Sequence, residues 1–315
     1  MSIRVLSHLG HRGVSAITEA GIDGVEVIDT PMSGPVPADL TGDVLVTPAK
    51  FVANLPELLE VSGVRWVHEF GTGVDSLPLD TLLGGGRVLT CSRGASSIAI
   101  SEWVLAQMLS FVKQLPAAWI DEPPKAWNIS MNLGELHGGT VGLVGLGGIG
   151  RRVARLARAF GMEVVAVRRT DAPSPIEGVR ITTDLHELLG VADHVVLAAP
   201  ATAATEHLLD GLAFDAVGPG AHLVNIARGS LIDQDALRVA LDHGQVALAS
   251  LDVCTPEPLP AGHWLYTHPR VHLSPHISWS NPHGLERIMT GFIDNLRRFA
   301  AGQPLVDVVD PIERY

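Results

Sequence analysis

Residues 140–167, TVGLVGLGGIGRRVARLARAFGMEVVAV, contain the pattern that most clearly indicates the fold class. TVGLV has the apolar, β-branched character of a buried strand, and GLGGIG that of a tight turn. RRVARLARAFG is an amphipathic helix that ends at a glycine, and MEVVAV is the next strand. A strand, a glycine turn, a helix and a second strand in this order predict a βαβ unit and therefore a parallel sheet.

The same alternation of short apolar runs and helical segments continues on both sides of this unit. Further strands are predicted at IRVLSHL, VEVIDT, DVLVT, VRWVHEF, DHVVLAA, AHLVNIA, VALASLDV and VHLS. Long helices are predicted from Ser97 to Leu115 and from Pro282 to Ala301. We therefore predict an α/β protein of two Rossmann-like, doubly wound parallel-sheet domains with a ligand cleft between them. A flavodoxin-like substrate domain would take residues 1–97 and 282–315, and a dinucleotide-binding Rossmann domain residues 98–281.

Composition narrows the class of protein. The 315 residues are 46% hydrophobic and 18% charged, which is typical of a globular chain with room for two cores. A net charge of -12 argues against a nucleic-acid partner or an anionic membrane surface. The start MSIRVLSHLG has no signal-peptide pattern, so we expect a cytoplasmic protein. Cys91 and Cys254 are expected to be buried small hydrophobes, and the histidines lack metal-ligand spacing, so no metal is predicted.

The glycines of the turn fit a phosphate-binding loop. Gly145 permits the tight turn, Gly147 lets the backbone approach a pyrophosphate, and Gly150 lets helix and strand pack closely. The N–H groups at the start of the helix, around Gly148 and Ile149, would face the phosphates. The alternative is a glycine turn that binds nothing.

The residues after MEVVAV indicate which dinucleotide is bound. An NAD enzyme needs an acidic residue there to accept a hydrogen bond from the ribose 2′-hydroxyl. This sequence has Arg168, Arg169 and Thr170 instead. Because a guanidinium favours a 2′-phosphate, we predict NADP(H) over NAD(H). The alternative is a pair of solvated arginines, with the cofactor preference set elsewhere.

Three side chains at the carboxyl ends of predicted strands could reduce a keto acid. That reaction needs a proton donor, a group that tunes it, and a cation for the carboxylate and carbonyl. Arg228 follows VNIA, Glu257 lies in the turn CTPEP, and His276 follows VHLSP. In the first domain, the loop at residues 72–74 offers consecutive N–H groups to a carboxylate, or is an ordinary turn that ends at Asp75.

Five blocks resemble the D-isomer-specific 2-hydroxyacid dehydrogenase family over nearly the whole chain. They are FGTGVD (70–75), GLGGIG with the downstream FGMEVVAV, VNIARGSLID (224–233), LDVCTPEPLP (251–260) and SPHIS (274–278). The resemblance implies that Arg228 binds and polarises the substrate, that His276 is the acid/base, and that Glu257 pairs with it and favours its charged form. It also implies that the loop Gly71, Thr72, Gly73 and Val74 grips the acid group of the substrate. For the cofactor it implies contacts from Pro200, Thr205, Ala227, Arg228, Asp252 and His276.

Two residues depart from the pattern of the family. Arg168 stands where NAD-dependent relatives carry an aspartate, which favours the NADP-dependent reductases. Trp279 stands where many relatives have a small residue, and it either narrows the substrate pocket or packs in the domain interface.

We expect a homodimeric NADP(H)-dependent 2-ketoacid reductase, with glyoxylate or hydroxypyruvate as the leading substrates. One alternative is a dinucleotide-sensing, corepressor-like binding protein. Another is an NAD-dependent D-2-hydroxyacid dehydrogenase with a different substrate range, for example bulky aryl pyruvates. A phosphoglycerate dehydrogenase is a less favoured alternative, because long forms of that enzyme carry an additional regulatory domain.

Overall fold

The computed structural model describes residues 2–75, 77–115, 117–123, 127 and 132–313. Along these residues the strands are β1 (Ile3–Ser7), β2 (Val25–Asp29), β3 (Val44–Thr47), β4 (Trp66–Glu69), β5 (Val88–Cys91), β6 (Thr140–Val144), β7 (Glu163–Val167), β8 (Val179–Thr182), β9 (His194–Leu197), β10 (Ala221–Asn225), β11 (Val246–Leu251) and β12 (Val271–Leu273). The helices are α1 (Gly10–Glu19), α2 (Leu55–Ser62), α3 (Leu79–Leu83), α4 (Ser97–Val112), α5 (Gly148–Ala159), α6 (Leu185–Val191), α7 (Gly211–Asp215), α8 (Gln234–His243) and α9 (Gly284–Ala300).

The chain divides into two compact units. One is Met1–Ser96 with Asn281–Tyr315, and the other is Ser97–Ser280. The boundaries lie one residue before the predicted ones, because Ser97 already belongs to α4. No helix in the described ranges is long and apolar enough to cross a membrane.

In the described part of the first unit, five parallel strands pair in the order β2-β1-β3-β4-β5. This is the doubly wound order of flavodoxin. Helix α9 joins this unit although it is distant in sequence, because Phe292 packs against the fully buried Trp66 with ring centroids 5.5 Å apart. Met289, Phe292 and Leu296 are all buried, so one face of α9 completes the core.

In the second unit, the described strands form a seven-stranded parallel sheet in the order β12-β11-β10-β9-β6-β7-β8. The chain runs outward from β6 to β8 and then crosses to β9 on the other side of β6. The order therefore reverses between β6 and β9, and ligands of such sheets bind beyond the carboxyl ends of the strands at this point.

The predicted fold class is confirmed: both units are α/β with parallel sheets. Sequence patterning alone misses two short strands, β5 and β8. VRIT in β8 places the exposed Arg180 next to apolar residues at a sheet edge, so it lacks the continuous apolar run of a central strand. Helix α4 ends at Val112 rather than Leu115, and Gln114 has a left-handed φ of 53°.

The two cysteines differ in burial. Cys91 is buried as expected, but Cys254 is only partly buried because it lies in the loop beyond the carboxyl end of β11. Both are free thiols.

Candidate active site

The glycine loop that joins β6 to α5 has the geometry of a phosphate-binding turn. Gly145 has a φ of 101°, and a Cβ there would lie 2.8 Å from the carbonyl oxygen of Ala198. A Cβ on Gly150 would lie 2.3 Å from the carbonyl oxygen of Gly145. At Gly147, by contrast, a Cβ would meet nothing within 4 Å. Close packing explains two glycines, and the open space beside Gly147 leaves the backbone accessible to a ligand.

The N-terminus of α5 is prepared for an anion. Gly147 is its N-cap residue and Gly148 and Ile149 begin the first turn. In the described structure no side chain caps this end, and the first turn has no acidic residue. Its N–H groups and the positive end of the helix dipole therefore suit the pyrophosphate of a dinucleotide.

The loop after β7 begins with Arg168, Arg169 and Thr170. The Arg168 backbone N–H donates to the carbonyl oxygen of Thr182 over 3.1 Å, and its Nη1 donates to the carbonyl oxygen of Ala172 over 3.4 Å. Arg168 is half-buried, whereas Arg169 and Thr170 are exposed. A cation therefore stands at the carboxyl end of β7, the strand next to the glycine loop's own strand β6.

The loop after β9 lies on the other side of β6. Thr205 Oγ1 donates to the carbonyl oxygen of Pro200 over 2.7 Å and accepts the N–H of Thr202 over 2.8 Å. These bonds fold the loop back on itself. They place Pro200 and Thr205 at the carboxyl end of the strand where the sheet order reverses.

His276 and Glu257 form an imidazole–carboxylate pair. His276 Nδ1 lies 2.9 Å from Glu257 Oε2, and the other oxygen, Oε1, accepts the backbone N–H of Cys254 over 3.1 Å. The two side chains are 41% and 39% exposed, so a ligand can reach them. With Nδ1 facing the carboxylate, Nε2 is the nitrogen available for a proton transfer.

The backbone of His276 is held in an uncommon conformation. Its φ is 53°, in the left-handed region that costs a side-chain-bearing residue about 1 kcal/mol or more. The His276 N–H donates to the carbonyl oxygen of Asp252 over 2.9 Å, and the His276 carbonyl accepts from Trp279 Nε1 over 2.8 Å. Trp279 therefore braces the turn that carries the imidazole, and its side chain is exposed.

Asp252 fixes the same turn through its side chain. It is 1% exposed, and its Oδ1 accepts from Ser274 Oγ over 2.6 Å and from the N–H of Ile277 over 2.9 Å. Its Oδ2 accepts the N–H of Ser278 over 2.9 Å. Sequence reasoning assigned Asp252 to the cofactor and missed this bracing of His276, since nothing in the sequence pairs residue 252 with residues 274–278.

The backbone around Arg228, just after β10, is held by a second buried polar residue, Asn225. Asn225 is fully buried; its Nδ2 donates to the carbonyl oxygen of Arg228 over 2.9 Å, and its Oδ1 accepts the N–H of Ala227 over 3.0 Å. A Cβ on Gly229 would lie 2.1 Å from the carbonyl carbon of Cys254, so only glycine fits there. Asn225 lies inside the block VNIARG, where its position before the arginine was the available signal.

The structure brings these predicted residues to one edge of one sheet. Strand β11 lies between β10, which ends before Arg228, and β12, which ends before His276. In the described residues no group of three or more His, Cys, Asp and Glu side chains could hold a metal ion.

The loop predicted to bind the acid group belongs to the first unit. It follows β4, and the N–H of Gly71 donates to Glu69 Oε1 over 2.8 Å. Thr72 Oγ1 donates to the carbonyl oxygen of Ser92 over 3.3 Å. Among the residues that the structure describes, no protein acceptor faces the N–H groups of Thr72, Gly73 and Val74.

Comparison with known proteins identifies the family. The family model for the NAD-binding domain of D-isomer-specific 2-hydroxyacid dehydrogenases matches residues 105–278, more than half of the chain. The chain belongs to the D-isomer-specific 2-hydroxyacid dehydrogenase family. The resemblance seen in the sequence is thereby confirmed.

Curated members of the family show the spread of its named activities. D-3-phosphoglycerate dehydrogenase of Bacillus subtilis is 32% identical over 254 residues, which cover 80% of this chain and 48% of that protein. The chain thus spans about half the length of that relative. (S)-sulfolactate dehydrogenase of Chromohalobacter salexigens is 32% identical over 257 residues, 79% of this chain and 80% of the relative.

Among solved structures, the NADPH-dependent glyoxylate/hydroxypyruvate reductase of Sinorhizobium meliloti, in complex with NADP and sulfate, is also similar. It is 25% identical with a TM-score of 0.80 over the full length of both chains. The family consists of oxidoreductases that act on the CH–OH group of 2-hydroxy acids and carry an NAD(P)-binding domain.

Proposed function

We propose that the chain is an NADP(H)-dependent reductase of small 2-keto acids, with glyoxylate or hydroxypyruvate as substrate. The observation that carries this proposal is the exposed His276–Glu257 pair, which lies at the same sheet edge as Arg228. The reductase of Sinorhizobium meliloti, which shares the fold over its full length, supports the substrate class.

In this reaction His276 is the proton donor. Glu257 Oε2 holds Nδ1 over 2.9 Å, which orients the ring and stabilises the imidazolium. Nε2 then donates its proton to the carbonyl oxygen of the keto acid as negative charge develops there. In the reverse direction, the neutral ring accepts the proton of the hydroxyl group.

Arg228 supplies the positive charge for the substrate. A guanidinium has several donors in one plane, so it can hold a carboxylate oxygen and the neighbouring carbonyl oxygen together. The hydrogen bonds between Asn225 and the backbone of Ala227 and Arg228 keep the Arg228 backbone extended, with φ of -146° and ψ of 150°. In the first unit, the consecutive N–H groups of Thr72, Gly73 and Val74 are the donors that we propose for a carboxylate.

The glycine loop, the N-terminus of α5 and Arg168 would hold the dinucleotide. When bound, its dihydronicotinamide supplies the hydride to C2 of the keto acid. Gly147 leaves room for the pyrophosphate, and Arg168 contributes a positive charge for a 2′-phosphate. Pro200, Thr205, Ala227 and Asp252 are the further proposed cofactor contacts.

A second candidate is a dehydrogenase of 2-hydroxy acids that carry an additional anionic group. The observation that favours it is the 32% identity to the phosphoglycerate and sulfolactate dehydrogenases, against 25% to the reductase. Arg228 and His276 serve both reactions, so the residues that contact the substituent at C3 decide between them.

Steady-state kinetics with purified protein tests the proposal. Loss of reduced-nicotinamide absorbance is followed with NADPH or NADH against glyoxylate, hydroxypyruvate, phenylpyruvate, 3-phosphohydroxypyruvate and 3-sulfopyruvate. The proposal predicts the highest kcat/KM for NADPH with glyoxylate or hydroxypyruvate. A higher kcat/KM for a phospho- or sulfo-substituted acid would favour the second candidate, and preference for phenylpyruvate would contradict both.

A further inference from the structure

Glu69, the last residue of β4, is a buried carboxylate next to the loop at residues 71–74. Its exposed fraction is only 5%, and burial raises the pKa of its carboxyl group while hydrogen bonds from Gly71 and Ala49 oppose that rise. A carboxylate is costly to bury without several donors, so its position calls for an explanation.

Each oxygen of Glu69 holds a different loop. Oε1 accepts the N–H of Gly71, over 2.8 Å, in the loop after β4. Oε2 accepts the N–H of Ala49, over 2.9 Å, where the loop after β3 begins a short 3-10 helix. Strands β3 and β4 are neighbours, with Thr47 paired to Glu69. One side chain therefore joins the two loops at the carboxyl edge of this sheet.

The position of the carboxylate favours glycine at position 71. A Cβ on Gly71 would lie 3.0 Å from Glu69 Oε1, tighter than ordinary contact. The same bond occupies the N–H of Gly71, so the donors left for a ligand are those of Thr72, Gly73 and Val74. Gly71 therefore contributes to the loop through its lack of a side chain, and the three residues after it contribute the hydrogen-bond donors for a ligand.

No neutral side chain of similar size can make both contacts equally well. Both partners are N–H donors, so the side chain must accept on each oxygen. Glutamine has only one acceptor oxygen, so it can accept from only one of the two backbone N–H groups. Its NH2 group would face the other N–H group, and that donor would lose its hydrogen bond. Glutamate is matched to this place by its chemistry as well as by its length.

We propose that Glu69 is a positioning residue that locks the loop at residues 71–74 in the conformation that binds the substrate carboxylate. The inference rests on the proposed function, in which that loop binds the acid group. Glu69 itself does not donate to the substrate and acts through the backbone of Gly71.

The test compares Glu69→Gln with wild type in the full-length protein. We expect KM for the keto acid to rise about tenfold, as for the loss of one charge-assisted hydrogen bond. The kcat and the KM for NADPH should stay within about threefold of wild type, because His276 and the glycine loop belong to other elements. A general loss of structure would instead change all three constants.

Asp43→Asn is the matched control. Asp43 precedes β3 at the opposite edge of the same sheet, and its Oδ2 accepts the backbone N–H of Arg4 over 3.0 Å. This variant also loses a carboxylate bonded to backbone, but it should leave KM for the keto acid unchanged.

Hydrogen–deuterium exchange of the peptide covering residues 70–77 gives a second measurement that needs no turnover. The amide of Gly71 should exchange at least about tenfold faster in Glu69→Gln than in wild type. Unchanged exchange at Gly71, or faster exchange with an unchanged KM for the keto acid, would overturn the inference. If wild type reduces no keto acid, the proposed function fails, while unaltered exchange would separately show that Glu69 does not fix the loop.

Discussion

The backbone N–H of His276 donates to the carbonyl oxygen of Asp252 over 2.9 Å, while the side chain of Asp252 accepts from the N–H groups of Ile277 and Ser278. Asp252 therefore holds the chain on both sides of the imidazole. This explains how the left-handed backbone of His276 persists: the buried carboxylate offsets the conformational cost with three hydrogen bonds.

Replacing Asp252 by asparagine should lower kcat about 10- to 100-fold. The amide cannot accept from Ile277, Ser278 and Ser274 together, so the turn loosens and the imidazole loses its orientation. Rapid-reaction or steady-state kinetics measures kcat. Asp184→Asn is the control, because Asp184 also accepts two backbone N–H groups, at the start of α6, and the same substitution there should leave kcat unchanged. Equal kcat in wild type and Asp252→Asn would contradict the bracing role.

His276→Gln should lower kcat on the order of 100- to 10,000-fold, since glutamine cannot donate an acidic proton. Glu257→Gln should lower it about 10- to 100-fold through loss of a charge-assisted hydrogen bond. The matched control is His268→Gln, which removes a second imidazole–carboxylate contact, between His268 Nε2 and Asp242 Oδ1 at 3.3 Å. If the His276 and His268 variants were equally active, the assignment of the proton donor would be wrong.

Arg168→Asp should reverse the preference for the cofactor. The aspartate removes the cation for a 2′-phosphate and adds an acceptor for a 2′-hydroxyl, so the ratio of kcat/KM for NADPH to that for NADH should fall on the order of 100-fold. Arg155→Asp on the exposed face of α5 makes the same charge change and should leave the ratio as it is. An unaltered ratio in Arg168→Asp would mean that cofactor choice is made elsewhere.

Acid should destabilise the second unit through two buried histidines. His194 Nδ1 lies 3.1 Å from His222 Nδ1, and burial lowers the pKa of His194 from 6.5 to about 4 and that of His222 well below 6.5. Because these pKa values are lower when folded, the unfolded chain binds more protons, and stability present above pH 6.5 is lost as the pH falls towards 4. His194 alone should contribute about 3 kcal/mol of this loss.

Urea unfolding measured between pH 6.5 and 4 checks this expectation. His194→Asn should be less stable at neutral pH, yet its free energy of unfolding should depend less steeply on pH than that of wild type. A variant with the same slope as wild type would show that His194 is not the titrating group.

Local patterns predicted the architecture and the chemistry of single residues. GLGGIG between a strand and a helix predicted the phosphate loop, and the structure gives a packing reason for Gly145 and Gly150. The position of His276 after VHLS predicted a side chain at the carboxyl edge of a sheet, which is where β12 places it. Such features depend on residues close in sequence, so their periodicity and spacing carry the information.

The contacts that hold these site residues in place could not be predicted from local sequence patterns. Asp252 meets residues 274–278, Glu69 meets Ala49, and Trp66 meets Phe292 across long stretches of chain. These pairings follow from strand order and crossover connections, which no local pattern specifies. The missed residues Asn225 and Glu69 share one trait: each is a buried polar group that holds backbone N–H groups near a sheet end.

Isotope transfer from the cofactor to the substrate tests whether the protein reduces a small 2-keto acid with His276 as the proton donor. The protein is incubated with glyoxylate and NADPH deuterated at both C4 positions of the nicotinamide, and the glycolate formed is examined by mass spectrometry and NMR. We expect wild type to form glycolate that carries one deuterium at C2, and His276→Gln to form almost none. Glycolate without deuterium at C2, or no glycolate from glyoxylate and no glycerate from hydroxypyruvate under conditions in which NADPH binds, would contradict this mechanism.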